Sequence, residues 1–222
     1  MKKIVYLVAL VAISLLFVQC GQNGSSQGQG KHPGHEYVDS STPLEPIFVD
    51  LETSTPLDTP ILGLGKHKGH EYVDLGLPSG LKWATCNVGA TTPEKYGDYF
   101  AWGEVEPKDY YDWSTYKYGS SRTLTKYCYD SYYGKDGFTD TKTVLDPEDD
   151  AATANWGGAW RMPSKVEQDE LRNKCKWVRT KLNGVKGYKV TGPNGNSIFL
   201  PMAGCMHEDD LLVVKSAGFF WS

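Results

Sequence analysis

The stretch Trp156-Gly-Gly-Ala-Trp-Arg-Met-Pro-Ser-Lys-Val-Glu-Gln-Asp-Glu-Leu171 carries the densest local instructions in the chain. Trp156 and Trp160 bracket Gly157-Gly158, where the backbone turns sharply because neither residue has a Cβ. Ser164 and Glu167 stand at capping-box spacing. The serine side chain accepts from a backbone N–H of the first turn, and the glutamate reaches back to the serine N–H. Pro163 disfavours helix at Met162, so the start is set from both sides. The pattern predicts loop, turn and then a helix from about Lys165 to Lys176.

Strand signals surround this helix. Residues 186–191 and 196–200 read as a hairpin about the turn Gly192-Pro-Asn-Gly195, and Gly218 begins what reads as a further strand. Upstream, residues 72–77 and 81–86 read as strands on either side of Leu77-Pro-Ser-Gly80, the second alternating as a half-buried strand does. Thr92-Pro-Glu94 reads as a short helix start, and residues 98–104 as another strand. Asp146-Pro-Glu-Asp-Asp150 reads as a capped helix start, with Asp146 as cap, running to about Asn155. A calcium loop would show an alternating Asp pattern, which is missing.

The leader is of a different kind. Met1-Lys-Lys3 precedes an apolar run over residues 4–18, too short for a membrane span of about 20 residues but suited to a signal-peptide core. Cys20, followed by Gly21, stands where a lipoprotein accepts its acyl chains. The expected division is a lipoprotein signal over 1–19, a Gly-, Ser- and Pro-rich tether over 20–65, and a domain over 66–222. Cleavage before Cys20 removes two of the 23 basic residues and none of the 27 acidic ones, for a formal charge of −6. That sign argues against a sequence-independent grip on nucleic acid, and it offers no polybasic patch to assist membrane attachment. Cys86, Cys128, Cys175 and Cys205 remain. They allow three disulfide pairings between which sequence does not choose, or buried thiols.

A repeat lies inside the tether. Gly30-Lys-His-Pro-Gly-His-Glu-Tyr-Val-Asp39 recurs as Gly65-Lys-His-Lys-Gly-His-Glu-Tyr-Val-Asp74, identical at nine of ten positions. The copies hold His32/His35 and His67/His70. His-x-x-His suits a transition metal, but the intervening glycines disfavour the helix that would align each pair, so a solvated linker is the expected reading. Eight of the fourteen tyrosines fall between residues 110 and 133. Such a region either presents contact area to a ligand or packs a loop-rich protein together. The binding candidates are Tyr110, Tyr111, Trp113, Tyr116 and Tyr118.

Seven runs, in order, carry a family resemblance. They are Glu71-Tyr-Val-Asp-Leu-Gly-Leu-Pro-Ser-Gly80, Trp83-Ala-Thr-Cys-Asn-Val-Gly-Ala90, Tyr96-Gly-Asp-Tyr-Phe-Ala-Trp-Gly-Glu104, Asp149-Asp-Ala-Ala152, Trp156-Gly-Gly-Ala-Trp-Arg-Met-Pro163, Asn194-Gly-Asn-Ser-Ile-Phe-Leu-Pro201 and Phe219-Phe-Trp-Ser222. They resemble the Fibrobacter succinogenes major paralogous domain of exported Bacteroidetes and Fibrobacteres proteins. The resemblance implies an α+β, C-type-lectin-like fold of short antiparallel strands, two or so helices and long loops. Arg161-Met-Pro-Ser164 also resembles a turn of the formylglycine-generating sulfatase modifiers, which share that broad fold. Family domains continue beyond the equivalent of Trp221-Ser222. The resemblance therefore implies missing closing strands and an unpaired edge along residues 72–77.

Three functions follow as expectations. The first is a non-catalytic module for a glycan or protein ligand, held at the outer membrane by lipid on Cys20. The second is an envelope assembly component acting by strand addition, and the third, most distant, a sulfatase-modifier-like enzyme. No cofactor is expected. Trp156, Gly157, Gly158, Trp160, Arg161, Pro163, Ser164 and Glu167 are expected to serve the scaffold.

Overall fold

The chain folds as α+β, with short, mostly antiparallel strands and few helices. The computed structural model describes residues 63–221 and the two-residue strand β1 (Ile4–Val5). The first sheet has the order β1-β4-β3-β2, with β2 at Leu64–His67, β3 at His70–Asp74 and β4 at Lys82–Ala84. β2 and β3 are joined through Lys68 and Gly69, both at positive φ, the combination that a two-residue hairpin loop matched to strand twist requires. Helix α1 (Ala151–Trp156) and helix α2 (Lys165–Lys174) follow a long irregular region. A second sheet has the order β5-β6-β7, from Lys176–Leu182, Val185–Thr191 and Ser197–Pro201. β8 (Cys205–His207) and β9 (Asp210–Leu212) close a final hairpin.

The capping box forms as its spacing predicts, and α2 begins at Lys165. The strands at 185–191 and 197–201 and the turn between them also lie where expected. Other expectations are corrected. β3 has β2 on one side and β4 on the other, so residues 70–74 present no open edge; β2, which straddles the expected domain start at residue 66, supplies the neighbour. β4 is buried at all three positions rather than alternating, because Lys82 turns its ammonium to Asp74 while Trp83 enters the core. Thr92-Pro-Glu94 makes a turn, with Lys95 N–H donating to Thr92 O, and no helix follows it. Helix α2 stops at Lys174, and β5 runs from Lys176, a strand absent from the reading above. Gly218 contributes an isolated bridge to Gly204 rather than a strand.

Residues 98–104 are the most instructive departure. They form no strand. Their carbonyls are met by side chains: Tyr111 Oη donates to Tyr99 O at 2.6 Å, Trp221 Nε1 to Phe100 O at 3.1 Å, and Tyr116 Oη to Trp102 O at 2.9 Å. Buried backbone oxygens need donors, and here aromatic residues stand in for a neighbouring strand.

Of three apolar clusters, the smallest lies around Ala101 and Tyr111, and two larger ones hold the elements together. Val73, Leu75, Trp83, Val190, Ile198 and Leu200 join the first two sheets, with Leu171 as the buried residue of α2. Phe100, Val88, Ala151, Ala152, Trp156, Trp160 and Met162 form the second, under the tryptophan turn.

Candidate functional site

The second histidine pair and the tryptophan turn hold one another. Gly157 ends α1 at φ 67°, and Gly158 follows at φ 69°. A Cβ on Gly158 would stand 2.3 Å from His67 Nε2, so this position combines a left-handed backbone with no room for a side chain. His67 Nε2 accepts from Ala159 N–H at 3.2 Å, and His67 O accepts from Trp160 Nε1 at 2.9 Å. The His70 ring stacks on Trp156 with centroids 4.0 Å apart and 13° between planes, and burial lowers its pKa below the ordinary imidazole value. These two histidines tie the β2–β3 hairpin to its partner turn. His32, His35 and Cys20 lie outside the described residues.

Two helix-start carboxylates then fix the backbone after Trp160. Asp150 caps α1 by accepting from Thr153 N–H at 2.9 Å, and its other oxygen accepts from Met162 N–H at 2.7 Å. The sequence reading assigned that cap to Asp146. Asp146 instead precedes a single 3-10 turn (Pro147–Asp149) with no side-chain cap bond, and its carboxylate meets Lys126 and Lys142. Glu167 accepts from Ser164 N–H at 2.8 Å and from Arg161 Nη1 at 2.7 Å, while Arg161 also donates to Met162 O at 2.9 Å. Burial would raise the Glu167 carboxyl, but Arg161 and the Ser164 N–H outweigh it and hold it low. Burial prevails at Asp150, whose carboxyl is raised.

Beside this scaffold lies a cleft of about 380 Å³. Its walls include Trp102, Val144, Leu145, Trp160, Met162 and Pro163, and Asp150, Thr153, Arg161 and Ser164 also border it. Three of the polar side chains at its border are already engaged, while the exposed Thr143 also stands on the rim. Asp150 uses both oxygens, Thr153 Oγ1 donates to Trp160 O at 2.8 Å, and Arg161 holds Glu167 and Met162 O. The cleft therefore offers mainly carbon, with few uncommitted hydrogen-bonding groups.

The tyrosine-rich region turns inward. Tyr111 is 2 % exposed, with its hydroxyl between Tyr99 O and the Lys108 N–H. Trp113 packs edge-on against Tyr116 with centroids 5.7 Å apart, and burial pushes the Tyr116 phenol far up. Tyr118 and Tyr127 donate to Asp149, a carboxylate that is 1 % exposed. Lys117 and Lys126 complete that cage at 2.8 and 2.5 Å. Burial would raise the Asp149 carboxyl, but these four donors hold it well below the usual carboxylate range. Asp146, Glu148 and Asp149 converge closely enough to hold a cation, and the Lys126 ammonium already stands among them. Of the five candidates only Tyr110 is exposed; the openly exposed Tyr129 and Tyr132 were not among them.

Among the described residues the four cysteines remain thiols, and no disulfide joins them. Burial first, then the charge of Glu170, pushes the Cys175 thiol up to about 11. Sequence reasoning found the residues of the tryptophan turn but not the cleft beside them. On its far wall, residues 143–145 carry no motif, and Pro147 belongs to a pentad read only as a helix start. No protein-family model, curated protein or solved structure matches the chain.

Proposed function

We propose that this chain is a lipoprotein of the cell envelope, anchored through Cys20 at the outer membrane, whose domain is a non-catalytic module that binds a polypeptide. The finer assignment, a C-type-lectin-like domain of the Fibrobacter succinogenes major paralogous kind, rests on the sequence motifs quoted above. The observation that carries the binding reading is the cleft at Trp102, Leu145 and Trp160, beside which Asp150, Thr153 and Arg161 are engaged within the protein. A sugar needs uncommitted donors and acceptors to repay its desolvation; an aromatic or branched aliphatic side chain needs carbon walls of this volume. That chemistry favours a protein ligand over a glycan.

The test sets a displayed peptide library beside a glycan array. Peptides with an apolar anchor are the expected hits, and Val144→Glu, at a cleft residue that is 61 % exposed, is expected to abolish their capture without altering the thermal transition. Hits confined to the glycan array, or peptide binding indifferent to Val144→Glu and Ala159→Trp, would sink the reading. Strand addition is the second reading. It no longer has the edge at residues 70–74, which is filled, but β5 is an edge strand. Its Lys176, Arg179 and Lys181 are the kind of charges that discourage edge-to-edge pairing. Enzymatic action of the sulfatase-modifier kind stays third.

A further inference from the structure

The acidity of the whole chain hides a strongly polarised charge distribution. Arg172, Lys174, Lys176, Arg179, Lys181, Lys186 and Lys189 all lie within residues 172–189, and no aspartate or glutamate does. These seven are drawn from a total of 23 basic residues, so the rest of the chain holds 16 basic against 27 acidic residues. The fold gathers the seven at the end of α2 and on the β5–β6 hairpin, and all are exposed.

The local geometry keeps them available. Lys181 and Lys186 stand directly opposite each other across the hairpin, where like charges repel. Among the described residues none of Lys174, Lys176, Lys181, Lys186 and Lys189 enters an ion pair, while Arg172 pairs with Asp169. The carboxylates nearby are committed or peripheral. Glu170 holds the Ser79 hydroxyl and N–H, and Glu94 touches Asn183 at the hairpin turn. Trp177 and Val178 emerge among the cations at 37 % and 40 % exposure. As the outer strand of its sheet, β5 also leaves one row of backbone donors without a strand partner.

We infer that the β5–β6 hairpin is a docking surface for an anionic phospholipid membrane. The occupant follows from the combination. Cations around a half-exposed tryptophan suit the headgroup layer, where indole sits at the boundary and lysine stems extend their charges to phosphate. Trp177, Arg179, Lys181 and Lys186 share one face of the hairpin, so the tryptophan and three cations address one surface together. The inference is independent of what fills the cleft, and it corrects the expectation that the chain has no polybasic patch.

The test uses the complete chain with Cys20→Ser, so that no acyl chain contributes. Co-sedimentation is measured with phosphatidylcholine vesicles and with vesicles containing about one-third phosphatidylglycerol. The zwitterionic arm reports attachment by the apolar leader, and the part of the anionic gain that hairpin substitutions remove reports the hairpin. Each cation near such a surface is worth about fivefold in partitioning, so Lys181→Gln with Lys186→Gln is expected to lower that gain about 25-fold. Raising salt to about 0.5 M is expected to erase it. Lys68→Gln with Lys135→Gln changes net charge equally at exposed positions elsewhere and is expected to leave it. An equal loss in both pairs, no anionic gain, or salt-sensitive self-association in place of vesicle binding overturns the inference. An unchanged thermal transition in each variant separates lost docking from lost folding.

Discussion

Asp149 and Asp150 are neighbours in the chain and opposites in the fold. Asp149 faces the tyrosine-rich region, where two lysines and two phenols hold it ionised; Asp150 faces the tryptophan turn, where backbone N–H groups and the Thr153 side chain meet it, no cation among the described residues pairs with it, and burial raises its pKa. The two surrounding regions differ in the same sense. The tyrosines looked like a recognition surface and are largely committed to the interior, down to the backbone of residues 99–102. The tryptophan turn looked like scaffold alone, and it borders the cleft. Aromatic content says that a region buries carbon. It does not say on whose behalf.

The comparison breaks most visibly if the Asp149 cage is removed. Asp149→Ala leaves Lys117, Lys126 and two phenols around a buried void, and a loss of about 3–4 kcal/mol is expected in denaturant unfolding. Asp150→Ala loses the α1 cap and strands the Met162 N–H, for an expected loss of about 2–3 kcal/mol. Equal losses with identical acid behaviour would show that the neighbours do not differ as described.

Acid unfolding sharpens the contrast. The lowered carboxyl of Asp149 contributes stability above its unfolded pKa of about 3.9, and this is lost as pH falls through that value toward the folded one. The raised carboxyl of Asp150 binds its proton more readily in the folded state, so it favours folding as pH falls. Asp149→Asn is therefore expected to flatten the loss of stability below about pH 4, and Asp150→Asn to remove a gain that otherwise accrues as pH falls toward about 4. His70 adds a smaller effect at higher pH. Its lowered folded pKa means that stability declines as pH drops below about 6.5, because the unfolded imidazole takes up the proton first. His70→Phe keeps a ring against Trp156 and is expected to remove that part of the slope. The smallest change is expected at Tyr110, exposed at the surface, where Tyr110→Ala shifts stability by less than about 0.5 kcal/mol.

What the sequence revealed was local. The Ser164–Glu167 box, the 192–195 turn and the strands beside it are decided by residues a few positions apart, and they stand as read. β5 was hidden because an exposed edge strand needs no apolar alternation, and its residues are exposed at six of seven positions. Its signal was the Asn183-Gly184 pair, at φ 48° and 81°, which specifies a tight hairpin turn. His67 gripping Ala159 and Trp160 spans more than ninety residues, and no local rule reaches that far. The acidic pentad misled because capping rules allowed two aspartates for one cap, and the tertiary lysines chose between them.

Trp221 gives the fold an order in time. Its indole reaches Phe100 O across 121 residues, and Gln168 donates to its carbonyl. A chain made from its N-terminus has residues 99–102 in hand long before the donor that completes them. That segment has only Tyr111 and Tyr116 as side-chain donors until residue 221 has been made. Contacts of such separation slow folding. A translation or export pause late in the chain would thus leave this particular stretch of backbone waiting for its last hydrogen bond.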